Sequence, residues 1–114
     1  MHELSLTMSI LAIVEDYAKT HGFDRVRSLK LSYGRMSCID PKALTFFFEI
    51  QSAGTRAEGA ELAFDVHPIV IYCFKCQKES KLTSYSAVCP QCGGEEVMVT
   101  GGTEELRLLE MDVE

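Results

Sequence analysis

No run of apolar residues in this chain of 114 approaches the roughly 20 that a membrane-spanning helix needs, so the sequence predicts no membrane insertion. The first residues, Met1-His2-Glu3, lack the basic region of a secretory signal, which predicts a cytoplasmic protein whose thiols stay reduced. Positive charge is scarce: 11 Lys and Arg stand against 17 Asp and Glu, a formal net charge of −6. Surfaces that bind nucleic acid are usually basic, so no nucleic-acid partner is expected. There is neither a Gly-rich phosphate loop nor a nucleophile elbow, which leaves nucleotide and acyl chemistry without support. No catalytic residue is assigned. Internal repeats and low-complexity segments are absent as well.

What the chain does have is a cysteine pattern. Cys73-x-x-Cys76 and Cys89-x-x-Cys92 are two short turns of the kind that present paired thiolates, the second followed by Gly93-Gly94. Two such turns facing one another supply four sulfurs at the corners of a tetrahedron, the closed coordination that structural Zn(II) prefers. Two disulfides are the rival reading. Each would close a strained small ring, and the fifth cysteine, Cys38, would be left over; Cys38 itself reads as a core residue. The same spacing argues against redox chemistry, because one metal accounts for both pairs. Around the cysteines, Lys75, Lys78 and Lys81 are balanced by Glu79, Glu95 and Glu96, and a Zn(II) ion held by four thiolates adds further negative charge.

The rest of the chain reads as α+β. Leu6, Ile10, Val14 and Tyr17, widened by Met8, Leu11 and Ala12, mark a helix from Leu4 to about Lys19. His21-Gly22 closes it, and Met1-His2-Glu3 remains as a short arm. Arg25 to Tyr33 alternate as a strand with Leu29, Leu31 and Tyr33 inward and Lys30 and Ser32 outward. Asp40-Pro41 is an N-cap followed by proline at the first helical position, predicting a second helix, although Phe46-Phe47-Phe48 also suit a strand. On that helix Leu44, Phe47, Phe48 and Gln51 share a face flanked by Ala43, Phe46 and Ile50, with Gly54 as a stop. Leu62, Phe64 and Val66 alternate in a second strand, which meets Pro68 at a sheet edge or exit. Short hairpin strands are expected between Ser80 and Val88. Glu104 to Glu114 form a third strand with a bulge near Leu108-Leu109. The expected architecture is two helices on a three-stranded antiparallel sheet, with a four-cysteine zinc ribbon inserted between the second and third strands, which pair. Residues 1–69 with 102–114 would form the α/β lobe, and 70–101 the ribbon lobe.

The N-terminus carries a second candidate site. With a free amine on Met1, the terminal nitrogen, the His2 amide and the His2 imidazole form a continuous chelate of the planar nitrogen type that Ni(II) and Cu(II) favour. A residue as bulky as His2 also disfavours removal of Met1. Glu3 is a further ligand, a partner of the imidazole, or a docking contact. The plain alternative is a histidine exposed beside a terminus. His67, near the cysteines, is either a metal ligand or pH sensor or simply the polar end of a strand.

Taken together, Met1-His2-Glu3-Leu4-Ser5-Leu6, Tyr33-Gly34 before Ser37-Cys38, Phe48-Glu49-Ile50, Glu58-Gly59-Ala60-Glu61-Leu62, the cysteine ribbon, and the tail with Glu104, Leu106, Met111, Asp112 and Val113 resemble the HypA/HybF family of nickel metallochaperones for [NiFe]-hydrogenase maturation. The resemblance spans essentially the whole chain, with no departure in the N-terminal motif or the cysteine spacing. It implies a non-enzymatic protein that binds Ni(II) as cargo through His2, the Met1 amine and neighbouring backbone nitrogens. It also implies Zn(II) at Cys73, Cys76, Cys89 and Cys92, and partnership with the GTPase HypB and the hydrogenase large-subunit precursor. Some members also serve urease, which would add urease maturation proteins as partners. The competing readings are a zinc-ribbon scaffold that binds only proteins, and a cytosolic redox or hydrolytic enzyme.

Overall fold

The structure, a computed structural model, describes residues 2–114. Helix α1 (His2–His21) is followed by β1 (Val26–Gly34), a 3₁₀ turn (Arg35–Ser37), α2 (Pro41–Ser52), β2 (Glu61–His67), β3 (Ile69–Cys73), β4 (Lys78–Leu82), β5 (Val97–Gly101) and β6 (Arg107–Val113). The α+β class with two helices and a three-stranded sheet is as expected. The strands divide into two sheets of three, ordered β2-β1-β6 and β4-β3-β5. The chain forms two compact units: the first runs to Leu31 and adds Ile39–Asp65 and Arg107–Glu114; the second comprises Ser32–Cys38 and Val66–Leu106. The segment 70–101 lies inside the second.

In the first unit, α1 starts at His2 rather than Leu4, so His2 and Glu3 belong to its first turn and form no separate arm. Met1 lies outside the described residues. The buried stripe of α1 is Thr7, Ile10, Val14 and Ala18, whereas Met8 and Tyr17 are about half exposed. Thr7 can occupy the core because its hydroxyl donates to the Leu4 carbonyl at 2.8 Å, which removes the cost of burying an unpaired polar group. The helix ends as anticipated: His21 Nδ1 lies 3.2 Å from the Tyr17 carbonyl and the Gly22 N–H reaches that of Ala18 at 2.8 Å.

Helix α2 begins where Asp40-Pro41 predicts. The Asp40 carboxylate accepts the Lys42 N–H at 3.0 Å, satisfying one of the donors that a helix start leaves free. Its inward face is Leu44, Phe48 and Ser52, at strict spacing of four, while Phe46 and Ile50 face solvent. The expected face included Gln51, which is exposed, and missed Ser52, whose hydroxyl donates to the Glu49 carbonyl at 3.4 Å. The helix stops at Ser52, with Ala53 as its cap and Gly54 just beyond.

The order of the first sheet corrects the expected pairing of the second and third strands: β1 lies between β2 and β6. The Gly34 N–H donates to Glu104, and the Glu114 N–H donates to Arg25, both backbone bonds. These contacts put the ends of β1 and β6 in opposite order, so the two are antiparallel. The central position of β1 agrees with its burial, which is nearly continuous from Leu29 to Gly34 and takes in Ser32, placed on the polar face by simple alternation. β2 alternates as expected. On β6 two exposed residues, Leu109 and Glu110, separate the half-buried Leu108 and Met111.

In the second unit β3 is central and antiparallel to both neighbours, with Ile71 opposite Ser80 on β4 and opposite Val99 on β5. The hairpin strands expected between Ser80 and Val88 are thus replaced by β4, which begins at Lys78, and β5, which comes only after the second cysteine pair. Pro68 marks the exit from one sheet to the other. After β5 the chain turns at Gly102, whose φ of +85° and distance of 2.6 Å from a built Cβ to the Pro68 carbonyl oxygen admit only glycine.

Because Phe48 is 1% exposed and Phe46 58%, Phe48→Ala is expected to destabilise the protein by about 3–5 kcal/mol and Phe46→Ala by about 0.5 kcal/mol or less in urea unfolding followed by helical ellipticity. Equal losses would place the wrong face of α2 inward.

Candidate metal centre

The second unit gathers Cys73, Cys76, Cys89 and Cys92 so that their sulfurs all lie within 4.8 Å of one another. Among the described residues this is the only group of three or more such side chains so arranged. Cys73 Sγ lies 3.6 Å from Cys92 Sγ, and Cys76 Sγ lies 3.8 Å from Cys89 Sγ. All five cysteines are free thiols, so the two-disulfide reading does not hold. A tetrahedron with metal–sulfur bonds of about 2.3 Å has edges of about 3.8 Å, so the four sulfurs match a thiolate-bound Zn(II)-sized ion.

Local backbone geometry explains why these turns form. The Gln77 N–H donates to the Cys73 carbonyl, and the Gly93 N–H donates to that of Cys89, each at 2.8 Å. Each turn ends in a left-handed residue, Gln77 (φ 58°) in the first and Gly93 (φ 76°) in the second. The two knuckles are therefore copies of one another, and the second uses the residue type that the conformation favours. The Gln91 N–H points at Cys89 Sγ and the Gly94 N–H at Cys92 Sγ, both at 3.4 Å. Such donors stabilise negative sulfur.

The acidity of the thiols follows from this arrangement. The Cys92 N–H above all, with that of Gln91, holds Cys89 down to about 7, against the penalty of burial. Cys73 is lowered chiefly by the Cys76 N–H. Burial pushes Cys76 up to about 12, reinforced by Cys89, Cys73 and Cys92 around it. Four clustered sulfurs resist carrying four negative charges by themselves. A dication between them reverses that preference, since a coordinating thiol is deprotonated outright.

Position in the fold supports the same reading. Cys73 ends β3 and is 1% exposed, and Cys89 is 3% exposed. The Phe74 N–H donates to the Glu96 carbonyl at 2.9 Å, carrying the β3–β5 ladder past the first cysteine. Gln91, which sequence reasoning did not single out, ties the second knuckle to β4: its amide donates to the Glu79 carbonyl at 3.1 Å and to Ser80 Oγ at 2.8 Å. No spacing rule identifies such a residue.

The four-cysteine group takes in none of the other candidates. His2 is exposed in the first turn of α1. The Glu3 carboxylate accepts the Asp40 N–H at 3.4 Å, linking the starts of the two helices. Its own N–H and that of Asp40 hold its carboxyl below the usual range. His67 Nδ1 lies 3.7 Å from Glu104 Oε2, and Glu104 Oε1 accepts the Gly102 N–H at 3.0 Å. Cys38, expected in the core, is exposed with φ of 57°. It caps the 3₁₀ turn in a left-handed conformation, its N–H donating to the Arg35 carbonyl at 3.2 Å.

The model of the family described as "HypA: Hydrogenase/urease nickel incorporation, metallochaperone, hypA" matches residues 1–113. The chain is 54% identical over 114 residues to the hydrogenase maturation factor HypA of Syntrophus aciditrophicus (strain SB), covering 100% of both chains. It is 39% identical over 114 residues to that of Acidithiobacillus ferrooxidans (strain ATCC 53993 / BNL-5-31), again 100% of both. The solution structure of the Ni metallochaperone HypA from Helicobacter pylori is similar at a TM-score of 0.63 and 25% identity, covering 99% of this chain and 97% of that one.

Replacing any one of Cys73, Cys76, Cys89 or Cys92 with Ser is expected to lower the thiolate-bound metal retained through chelator treatment and gel filtration to well below one ion per chain. Cys38→Ser should retain the full amount. If Cys38→Ser lost the metal and Cys76→Ser kept it, the assignment of the centre would be wrong.

Proposed function

The chain belongs to the HypA family of hydrogenase maturation factors and nickel metallochaperones, and from that premise we propose that it binds Ni(II) at its Met1-His2 terminus and delivers it, with the GTPase HypB, to the [NiFe]-hydrogenase large-subunit precursor. The observation that carries this reading is that His2 lies exposed in the first turn of α1. The first four N–H groups of a helix have no intrahelical acceptor. The His2 and Glu3 amides therefore need not break a helix bond to serve a metal. With the Met1 amine and the His2 imidazole, they make the planar nitrogen set that suits Ni(II).

Glu3 flanks this set, and its bond to the Asp40 N–H favours a fixed position for the first turn of α1. Nickel is cargo, and a site built at a chain terminus is exposed and incomplete. A receiving protein can offer ligands before the donor has released the ion. Cys73, Cys76, Cys89 and Cys92 hold Zn(II), which there supplies a cross-link with no coordination position left open for chemistry. Exchange is thus confined to the terminal site. The protein works in the cytoplasm and without catalytic turnover. Urease maturation is a second destination in keeping with the family's description.

Nickel titration of protein with a native N-terminus should show one Ni(II) per chain with a planar, diamagnetic spectrum. Both His2→Ala and a form with one added N-terminal residue should lose it. Equal binding by all three would remove His2 from the mechanism and leave a zinc-stabilised interaction domain.

A further inference from the structure

The two sheets end in four edge strands, and three of them carry charge. β2 carries Glu61 and Asp65, β6 carries Arg107, Glu110 and Asp112, and β4 carries Lys78, Glu79 and Lys81. Charged side chains are a standard protection of sheet edges against unwanted pairing. The fourth, β5, reads Val97-Met98-Val99-Thr100-Gly101 and has no charge at all. Among the described residues, no hydrogen bond from backbone outside the sheet reaches Val97–Gly101.

The face beside this edge is also apolar. Met98 is 50% exposed and lies opposite Tyr72 on β3. Tyr72 meets Phe74 edge to face, ring centres 5.2 Å apart, and Phe74 is 52% exposed. Tyr72, Phe74 and Met98 thus form a continuous patch along the open edge. The register shift at Val70/Ile71 leaves Thr100 as an extra residue on β5. Regular pairing is therefore confined to the stretch from Glu96, whose carbonyl takes the Phe74 N–H, to Val99.

We infer that the β5 edge is a docking site for an extended segment of a partner protein, which adds as a further antiparallel strand with alternating apolar residues and a basic C-terminal end. Strand addition draws its affinity from main-chain hydrogen bonds and its specificity from alternate side chains. Charge selects the occupant. Glu95 and Glu96, both exposed, lead into β5 and outnumber Lys75, which packs beside Gly94, and the exposed Glu105 follows β5. An antiparallel incoming strand ends beside Glu95 and Glu96, where Lys or Arg is favoured. A second copy of this chain would instead bring the same acidic flanks and a net charge of −6 against them.

The test titrates the isotope-labelled, metal-loaded protein with the synthetic peptide Val-Thr-Val-Thr-Val-Lys-Lys, and in parallel with the same peptide ending in two glutamates. The lysine peptide should shift amides of 95–99 and 72–74 and bind more tightly than the glutamate peptide. Met98→Lys, at an exposed position where the fold is unaffected, should weaken it about tenfold or more by placing charge on the edge. The double variant Glu95→Lys, Glu96→Lys should reverse the preference between the two peptides. Absence of binding, shifts elsewhere in the protein, or an unchanged preference in the double variant would overturn the inference. Concentration-dependent shifts of 97–99 without peptide would also overturn it, showing a second copy as the occupant.

Discussion

Four sulfur atoms held within 4.8 Å of one another are the constraint on which the second unit depends. Its fully buried apolar side chains are few: Ile69 and Ile71 on β3, with Tyr33 from the end of β1, and otherwise the cysteines themselves. A sheet of three short strands with so small a core gains little from burial, and units of this size usually need a cross-link. A metal ion held by the four thiolates would supply one. It would join Cys73, at the end of β3, to Cys92, 19 residues away in the second knuckle, and the Gln91 amide fixes that knuckle to β4. In comparable peptides structural zinc contributes about 10–16 kcal/mol of apparent binding energy at neutral pH, which is folding energy when no preformed site exists in the unfolded chain.

The first unit has no such need. Leu29, Leu31, Leu44, Phe48 and Val14 are all nearly inaccessible, and the two helix starts are linked by Glu3 and Asp40. A helix that begins at His2 on a well-packed unit would give the proposed terminal chelate a firm support and leave it open to solvent. The two proposed metal sites thereby differ in kind. One is enclosed by four ligands from two turns that must come apart together to release it. The other draws on a few consecutive residues at the chain end. Stability at the first and exchange at the second follow from that difference in coordination.

Much of this was legible in the residues because the relevant signals are local. Cysteine spacing located the cluster, Asp40-Pro41 located the start of α2, and the alternation of Leu62, Phe64 and Val66 located β2. What was not legible depends on tertiary neighbours. Period-2 alternation tells which face a residue occupies but not which strand lies beside it, so the central place of β1 and the pairing of β3 with β5 were missed. On α2 the apolar pattern placed Leu44 and Phe48 on the shared face with Phe46 and Ile50 beside it, but only packing decides that the last turn buries Ser52 and leaves Gln51 outside. Thr7 and Ser52 were passed over as polar, although Thr7 continues the spacing of Ile10, Val14 and Ala18; a hydroxyl that bonds to the preceding turn behaves in a core as a small apolar group.

Retention of one metal beside exchange of the other is decided by following both ions in one sample. Protein loaded with Ni(II) at the terminus and Zn(II) at the cysteines is mixed with an excess of a chromophoric chelator, and the release of each ion is timed. Nickel should leave in a fast, complete phase while zinc remains through many times that interval. Release of both ions at one common rate would contradict this.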